Sequence, residues 1–123
     1  MMGRIVIVDD SRLARTFTAS CLKRLPHTVD VVDPTSIFDV VKVLKETPPD
    51  LLIMDFLMPN CPGTSLARVI QEDTQLWNMK TLVLTAHHDD DVTSRLKEMG
   101  VAEVMFKPFS PGDLVAMVIS LMP

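Results

Sequence analysis

No stretch of this 123-residue chain approaches the ~20 uninterrupted apolar residues that a membrane span requires, which excludes a bilayer helix. Residues Met1 to Arg4 lead straight into a short apolar strand, with neither the long apolar run nor the small-residue cleavage site of a secretory signal, so a cytoplasmic protein is expected. Basic charge is scarce: 12 Lys and Arg against 16 Asp and Glu leave a formal charge of −4. That balance gives the domain no clustered cations with which to hold nucleic acid by itself. Cysteine is limited to Cys21 and Cys61, far apart and without C-x-x-C spacing, which favours reduced thiols over a disulfide or a metal site. Internal repeats, low-complexity linkers and composition breaks are also missing. What remains, with 47% hydrophobic and 23% charged residues, is a globular chain of about one domain, expected to span residues 1–123.

Apolar runs and helical periods alternate along it. Arg4 to Val8 (RIVIV) reads as a buried strand. A helix is predicted from about Ser11, with Leu13, Phe17, Cys21 and Leu25 recurring every four residues until Pro26. Thr28 to Val32 is the second strand, and Ile37, Val40, Val41 and Leu44 form the stripe of a second helix that Pro48-Pro49 stops. Leu51 to Met54 is the third strand, and Gly63 to about Trp77 carries Leu66, Val69, Ile70 and Trp77 at helical spacing. Thr81 to Leu84 follows as the fourth strand. Asp89-Asp90-Asp91 then opens a helix through Val92, Leu96 and Met99, ended by Gly100. Glu103 to Phe106 is the fifth strand, and Ser110-Pro111 precedes a last helix from roughly Gly112. Five strands alternating with five helices predict an α/β domain built on a parallel sheet.

In such a sheet ligands gather at the carboxyl ends of the strands. Here those ends carry Asp9 and Asp10, Asp55, Thr85 and Lys107. Asp55 stands out within LLIMDFLMPNCPG, where an apolar strand terminates on a carboxylate that either caps the next turn or is a group something else must reach. Three acids converging in one crevice repel one another unless a cation is present. A hard divalent ion relieves that repulsion, and Mg²⁺ suits it because it accepts carboxylate oxygens and keeps places for water and phosphate. Lys107 adds a fixed positive charge and Thr85 a hydroxyl. A carboxylate nucleophile, a metal, a lysine and a hydroxyl are the equipment of phosphoryl transfer, with Asp55 as the expected acceptor.

The segments IVDDS (7–11), DFLMPNCPG (55–63), LTA (84–86) and KPF (107–109) resemble the four signatures of the response-regulator receiver domain of two-component signalling. The resemblance runs through the entire chain. It implies a flavodoxin-like, doubly wound sheet of order 2-1-3-4-5 with five helices on both faces. It also implies that Asp55 is phosphorylated from a phosphohistidine of a sensor histidine kinase or a histidine phosphotransfer protein. Mg²⁺ would be held by Asp10, Asp55 and the backbone carbonyl of Leu57, with Asp9 acting mostly through bound water. Lys107 would contact the phosphoryl group and Thr85 would move toward it, biasing a protein-interaction surface. Such a domain modifies and demodifies itself but turns over no metabolic substrate.

Val104 departs from this pattern, standing where many receivers carry a Tyr or Phe three residues before the lysine. Leu57 and His87 occupy positions that in this family adjust the access of water to the phosphoryl group, and an apolar Leu57 implies a longer-lived phosphorylated state. Each singled-out residue also has a plain reading: Asp9, Asp10 or Ser11 as a helix cap, Asp55 as a turn former, Lys107 as a loop lysine, His87-His88 as solvated side chains and Cys61 as an exposed thiol. On the last helix Leu114, Val115, Met117, Val118, Ile119, Leu121 and Met122 cover an arc wider than the ~100° a surface helix needs. That arc predicts a cover: a homodimer through helix 4, strand 5 and helix 5, a partner protein, or an output domain of a longer regulator whose linker begins at Pro123. The alternative function is a receiver-like interaction module that works without phosphorylation. An aspartate phosphatase would need a D-x-D pattern after strand one, and a flavin binder a Ser/Thr-rich loop there; DDSRLAR supplies neither.

Overall fold

The computed structural model describes residues 2–122, so Pro123 and the linker expected there lie outside the described residues. Five strands, β1 (Arg4–Val8), β2 (Thr28–Val32), β3 (Leu51–Asp55), β4 (Lys80–Thr85) and β5 (Glu103–Phe106), alternate with five helices. These are α1 (Arg12–Cys21), α2 (Ile37–Glu46), α3 (Gly63–Glu72), α4 (Asp90–Glu98) and α5 (Pro111–Leu121). The strands pair in parallel in the order β2-β1-β3-β4-β5, as expected. Near-continuous apolar runs in β1, β3 and β4 follow from burial on both faces of a parallel sheet. Their side chains alternate between two cores: Val6, Val8, Leu52, Met54 and Val83 pack with Val40, Leu66 and Leu96. Ile5, Ile7, Leu51, Ile53, Leu82 and Leu84 pack with Leu22, Leu114 and Val118 on the other face. No helix among the described residues is long and apolar enough to cross a membrane.

Three helices differ from their sequence patterns. In α1 the four-residue stripe faces the core only at its later positions: Leu13 is 81% and Phe17 46% exposed, while Cys21 and Leu25 pack against the second core beside buried Thr18 and Leu22. Steps of four residues drift by about 40° per turn of a 3.6-residue helix, so the stripe crosses onto the face that packs on the sheet instead of following it. The inner face also uses smaller side chains, Thr18 and Ala19. Helix α3 ends at Glu72, and Trp77 lies beyond it, 64% exposed. Asp73 stops the helix by accepting the Gln75 amide on its carboxylate at 2.8 Å, which competes with continued helical bonding, and Lys45 holds that carboxylate at 3.1 Å. Leu76, not Trp77, is then buried. On α5 the wide apolar arc is covered by the chain itself: Val115, Met117, Leu121 and Met122 pack against the second core, and Ile119 is left 57% exposed.

Candidate functional site

At the end of β1, Ser11 is the cap of α1, its Oγ accepting the Ala14 amide at 3.2 Å. Asp9 and Asp10 are thereby left free of capping. Asp9 is buried, with its Oδ1 accepting the Ser11 amide at 2.9 Å, while Asp10 is exposed. Burial raises the Asp9 carboxyl above its ordinary value; the Ser11 amide opposes this, Asp55 adds to it and Lys107 again opposes it.

Asp55 ends β3 half-buried, and Phe56 donates its amide to Leu84 O at 2.9 Å, which extends the sheet past the acid. The loop then turns tightly back: Gly63 N–H donates to Phe56 O at 3.1 Å. A Cβ on Gly63 would lie 2.9 Å from that oxygen and 3.1 Å from Phe56 Cα, so only glycine lets α3 begin this close to the strand. Backbone rather than a flexible side chain must give way. Gly63→Ala is accordingly expected to lose about 1–3 kcal/mol in urea unfolding, with a lowered midpoint and an unchanged slope.

Met58 and Cys61 anchor this loop in the first core, while Leu57 points into solvent at 58% exposure. Cys61 is therefore not the exposed thiol expected. Its side chain fills a core position, and burial pushes the thiol up to about 11, away from redox chemistry. Cys21 is likewise free.

Thr85 is buried at the end of β4, its Oγ1 accepting the His87 amide at 3.0 Å and its carbonyl accepting the Lys107 amide at 2.8 Å. That second bond carries β5 one residue further and aims the lysine across the strand ends. Lys107 Nζ reaches Asp55 Oδ1 at 2.8 Å and stands 3.9 Å from Asp9 Oδ2. One carboxylate oxygen each from Asp9, Asp10 and Asp55 lies within 4.8 Å of the others, the one group of potential metal ligands found among the described residues. Clustered hard oxygens in a partly buried crevice suit a small divalent cation. The histidines form no such group: His87 meets the ring of Phe56 edge-on at 6.3 Å, and His88 stacks on Phe106 at 4.4 Å. Val104 packs against the first core.

β2 also has a polar end, which its apolar run alone does not single out. Register pairs Val8 with Val32, so Asp33 follows β2 beside Asp9. Arg15 lies between them, donating from Nη1 to the Asp9 carbonyl at 2.6 Å and standing 3.8 Å from Asp33 Oδ1. The signal available was an arginine one turn into α1, with an acid directly after the neighbouring strand.

Several known proteins share this arrangement of strands. The signal receiver domain of a signal transduction histidine kinase from Syntrophus aciditrophicus superposes with a TM-score of 0.85 at 28% identity, covering 98% of this chain and 89% of that one. The chemotaxis response regulator CheY4 of Vibrio cholerae shares the fold, with a TM-score of 0.88 at 20% identity over 99% of this chain and 100% of that one. In sequence, the phosphate regulon transcriptional regulatory protein PhoB of Pseudomonas aeruginosa is 30% identical over 117 residues, and this chain spans 94% of itself but only 50% of PhoB. Hybrid signal transduction histidine kinase D of Dictyostelium discoideum is 31% identical over 118 residues, which are 96% of this chain and 7% of that protein. The response regulator receiver domain family matches residues 5–119, the stretch that holds the acid cluster and all of the five strands but Arg4, and the chain belongs to that family of two-component signalling modules.

Proposed function

We propose that Asp55 accepts a phosphoryl group from the phosphohistidine of a sensor histidine kinase or a histidine phosphotransfer protein, and that this modification switches a protein-interaction surface. The observation that carries the reading is the junction of Asp55 with Lys107 at 2.8 Å inside a three-carboxylate cluster. Asp55 supplies the attacking carboxylate oxygen; as its bond to phosphorus forms, the bond from phosphorus to the donor imidazole breaks. Lys107 balances charge gathering on the phosphoryl oxygens, and the Thr85 hydroxyl hydrogen-bonds one of them. Mg²⁺ fits the oxygen ligands of Asp10, Asp55 and the Leu57 carbonyl, with Asp9 acting through water, and would supply neutralisation of the cluster and of the incoming phosphate.

The chain works as one receiver domain with no metabolic substrate, in the cytoplasm. Its output lies in a following domain, a separate partner, or a homodimer through α4, β5 and α5. With a net charge of −4, the domain does not bind nucleic acid directly. Intact mass after incubation with acetyl phosphate tests this: a gain of about 80 Da that requires Mg²⁺ is expected, with elution volume recorded in parallel. A protein that gains no mass and binds no beryllofluoride is instead an interaction module that works without phosphorylation.

Exposed Leu57, two residues after Asp55, lines a pocket together with Asp10, and an apolar side chain there is expected to hinder approach of water to the modified Asp55. Leu57→Asn is expected to shorten the phosphorylated lifetime, read as faster loss of the added mass after the donor is removed. Unchanged or slower decay would remove the side chain from that role.

A further inference from the structure

We infer that Arg15 is a positioning residue for the cation site, acting through the Asp9 backbone rather than through contact with the metal or the phosphoryl group. The inference rests on reading Asp9, Asp10 and Asp55 as that site. Asp9 is gripped at two points: its side chain accepts the Ser11 amide at 2.9 Å, and its carbonyl accepts Arg15 Nη1 at 2.6 Å. The second bond matters because the Asp9 carbonyl lies past the paired residues of β1 and has no strand partner in the register with β2 or β3. It belongs to the peptide that joins the two acids. Fixing that carbonyl therefore fixes the plane from which Asp10 projects. Asp10 is exposed, and nothing among the described residues donates a hydrogen bond to its side chain, so its backbone must supply the order.

Arg15 is itself well held. Its side chain is 14% exposed, it stands 3.8 Å from Asp33, and its own amide donates to Ser11 O at 2.9 Å in the first turn of α1. The guanidinium thus ties together the ends of β1 and β2 and the start of α1. Groups that orient metal ligands without touching the metal commonly change affinity by about 10–100-fold when removed.

Two physical effects oppose each other here, which makes the inference sharp. As a positive charge, Arg15 repels a cation, so its removal tightens Mg²⁺ binding if it acts only through its field. As a positioning residue it does the reverse, and its removal weakens binding.

The experiment is calorimetric titration of Mg²⁺ alone into wild type, Arg15→Met and Arg15→Lys, each stripped with EDTA first, with thermal unfolding followed in EDTA. The expected result is a Kd raised about tenfold or more in Arg15→Met and by a smaller factor in Arg15→Lys, whose compact ammonium replaces a planar fork. A purely structural arginine lowers the unfolding temperature in EDTA but leaves the Mg²⁺ Kd of the folded protein unchanged. A wild-type or tighter Kd in Arg15→Met overturns the inference. Should that variant not fold, a wild-type Kd in Arg15→Lys overturns it equally. Wild-type protein that takes up no Mg²⁺ overturns the reading of the site, and the inference with it.

Discussion

Asp55→Asn is expected to gain no phosphoryl mass from acetyl phosphate at any Mg²⁺ concentration, under conditions in which the wild type gains about 80 Da. The amide occupies the same space but offers no anionic oxygen to attack phosphorus, so the loss is of the reaction itself and not of the fold. Asp55 is half-buried at the end of a strand whose other residues are fully buried, and an isosteric exchange leaves Leu51 to Met54 undisturbed. The variant also removes one of three clustered carboxylates. Mg²⁺ at about ten times its Kd stabilises a folded protein by about 1.4 kcal/mol, and that increment is expected to shrink in the variant because one ligand oxygen has lost its charge. Thermal unfolding with and without Mg²⁺ measures it. An added mass that persists in Asp55→Asn would move the acceptor to Asp9 or Asp10.

The crevice was legible because its residues terminate short apolar runs. Once RIVIV, LLIM and TLVL are read as buried strands, Asp9, Asp55 and Thr85 must fall at one end of a parallel sheet, whereas the strand order β2-β1-β3-β4-β5 was implied by the resemblance to receiver domains and not by the pattern. Helix faces were less legible. Periodicity placed α2 correctly, since Val40 and Leu44 are buried, but Leu13 and Phe17 keep helical spacing while facing outward. Phe17 instead meets the ring of Phe109 at 6.2 Å across the groove between α1 and the start of α5, a packing decided by tertiary contact and not by local pattern. Cys61 was misjudged for the opposite reason. Its loop is rich in turn formers, Pro59, Asn60 and Pro62, yet the hydrogen bond from the Gly63 amide to Phe56 O folds it so tightly that Met58 and Cys61 enter the core. Arg15 is marked only by its place one turn into α1, because its partners are a backbone carbonyl six residues back and a carboxylate just after a neighbouring strand.

Lys107→Ala is expected to slow labelling by acetyl phosphate by roughly 100–1000-fold while leaving Mg²⁺ affinity equal or tighter. The split follows from where the ammonium lies. At 2.8 Å from Asp55 Oδ1 it can follow charge onto a phosphoryl group bound there, a contribution that a metal on the other carboxylate oxygens does not replace. Toward a cation it is a competitor for the same acids, so its removal does not weaken binding. Stability gives an independent check through Asp9, whose carboxyl is raised above 3.8 chiefly by burial, with Lys107, 3.9 Å away, among the groups that hold it down. Above its unfolded value the native state keeps a proton that the unfolded chain has released, so the stability linked to this group is full below about 3.8 and is lost as pH rises through the folded value. Without Lys107 the folded value climbs further and the loss grows. In EDTA, the urea midpoint of Lys107→Ala should therefore lose ground to that of the wild type as pH is raised from about 3.8 toward neutrality. An equal change in both would mean that the ammonium does not act on Asp9. The kinetic defect would then have to come from the single 2.8 Å contact, which Lys107→Arg, keeping the charge but replacing the compact ammonium with a planar fork, would test directly.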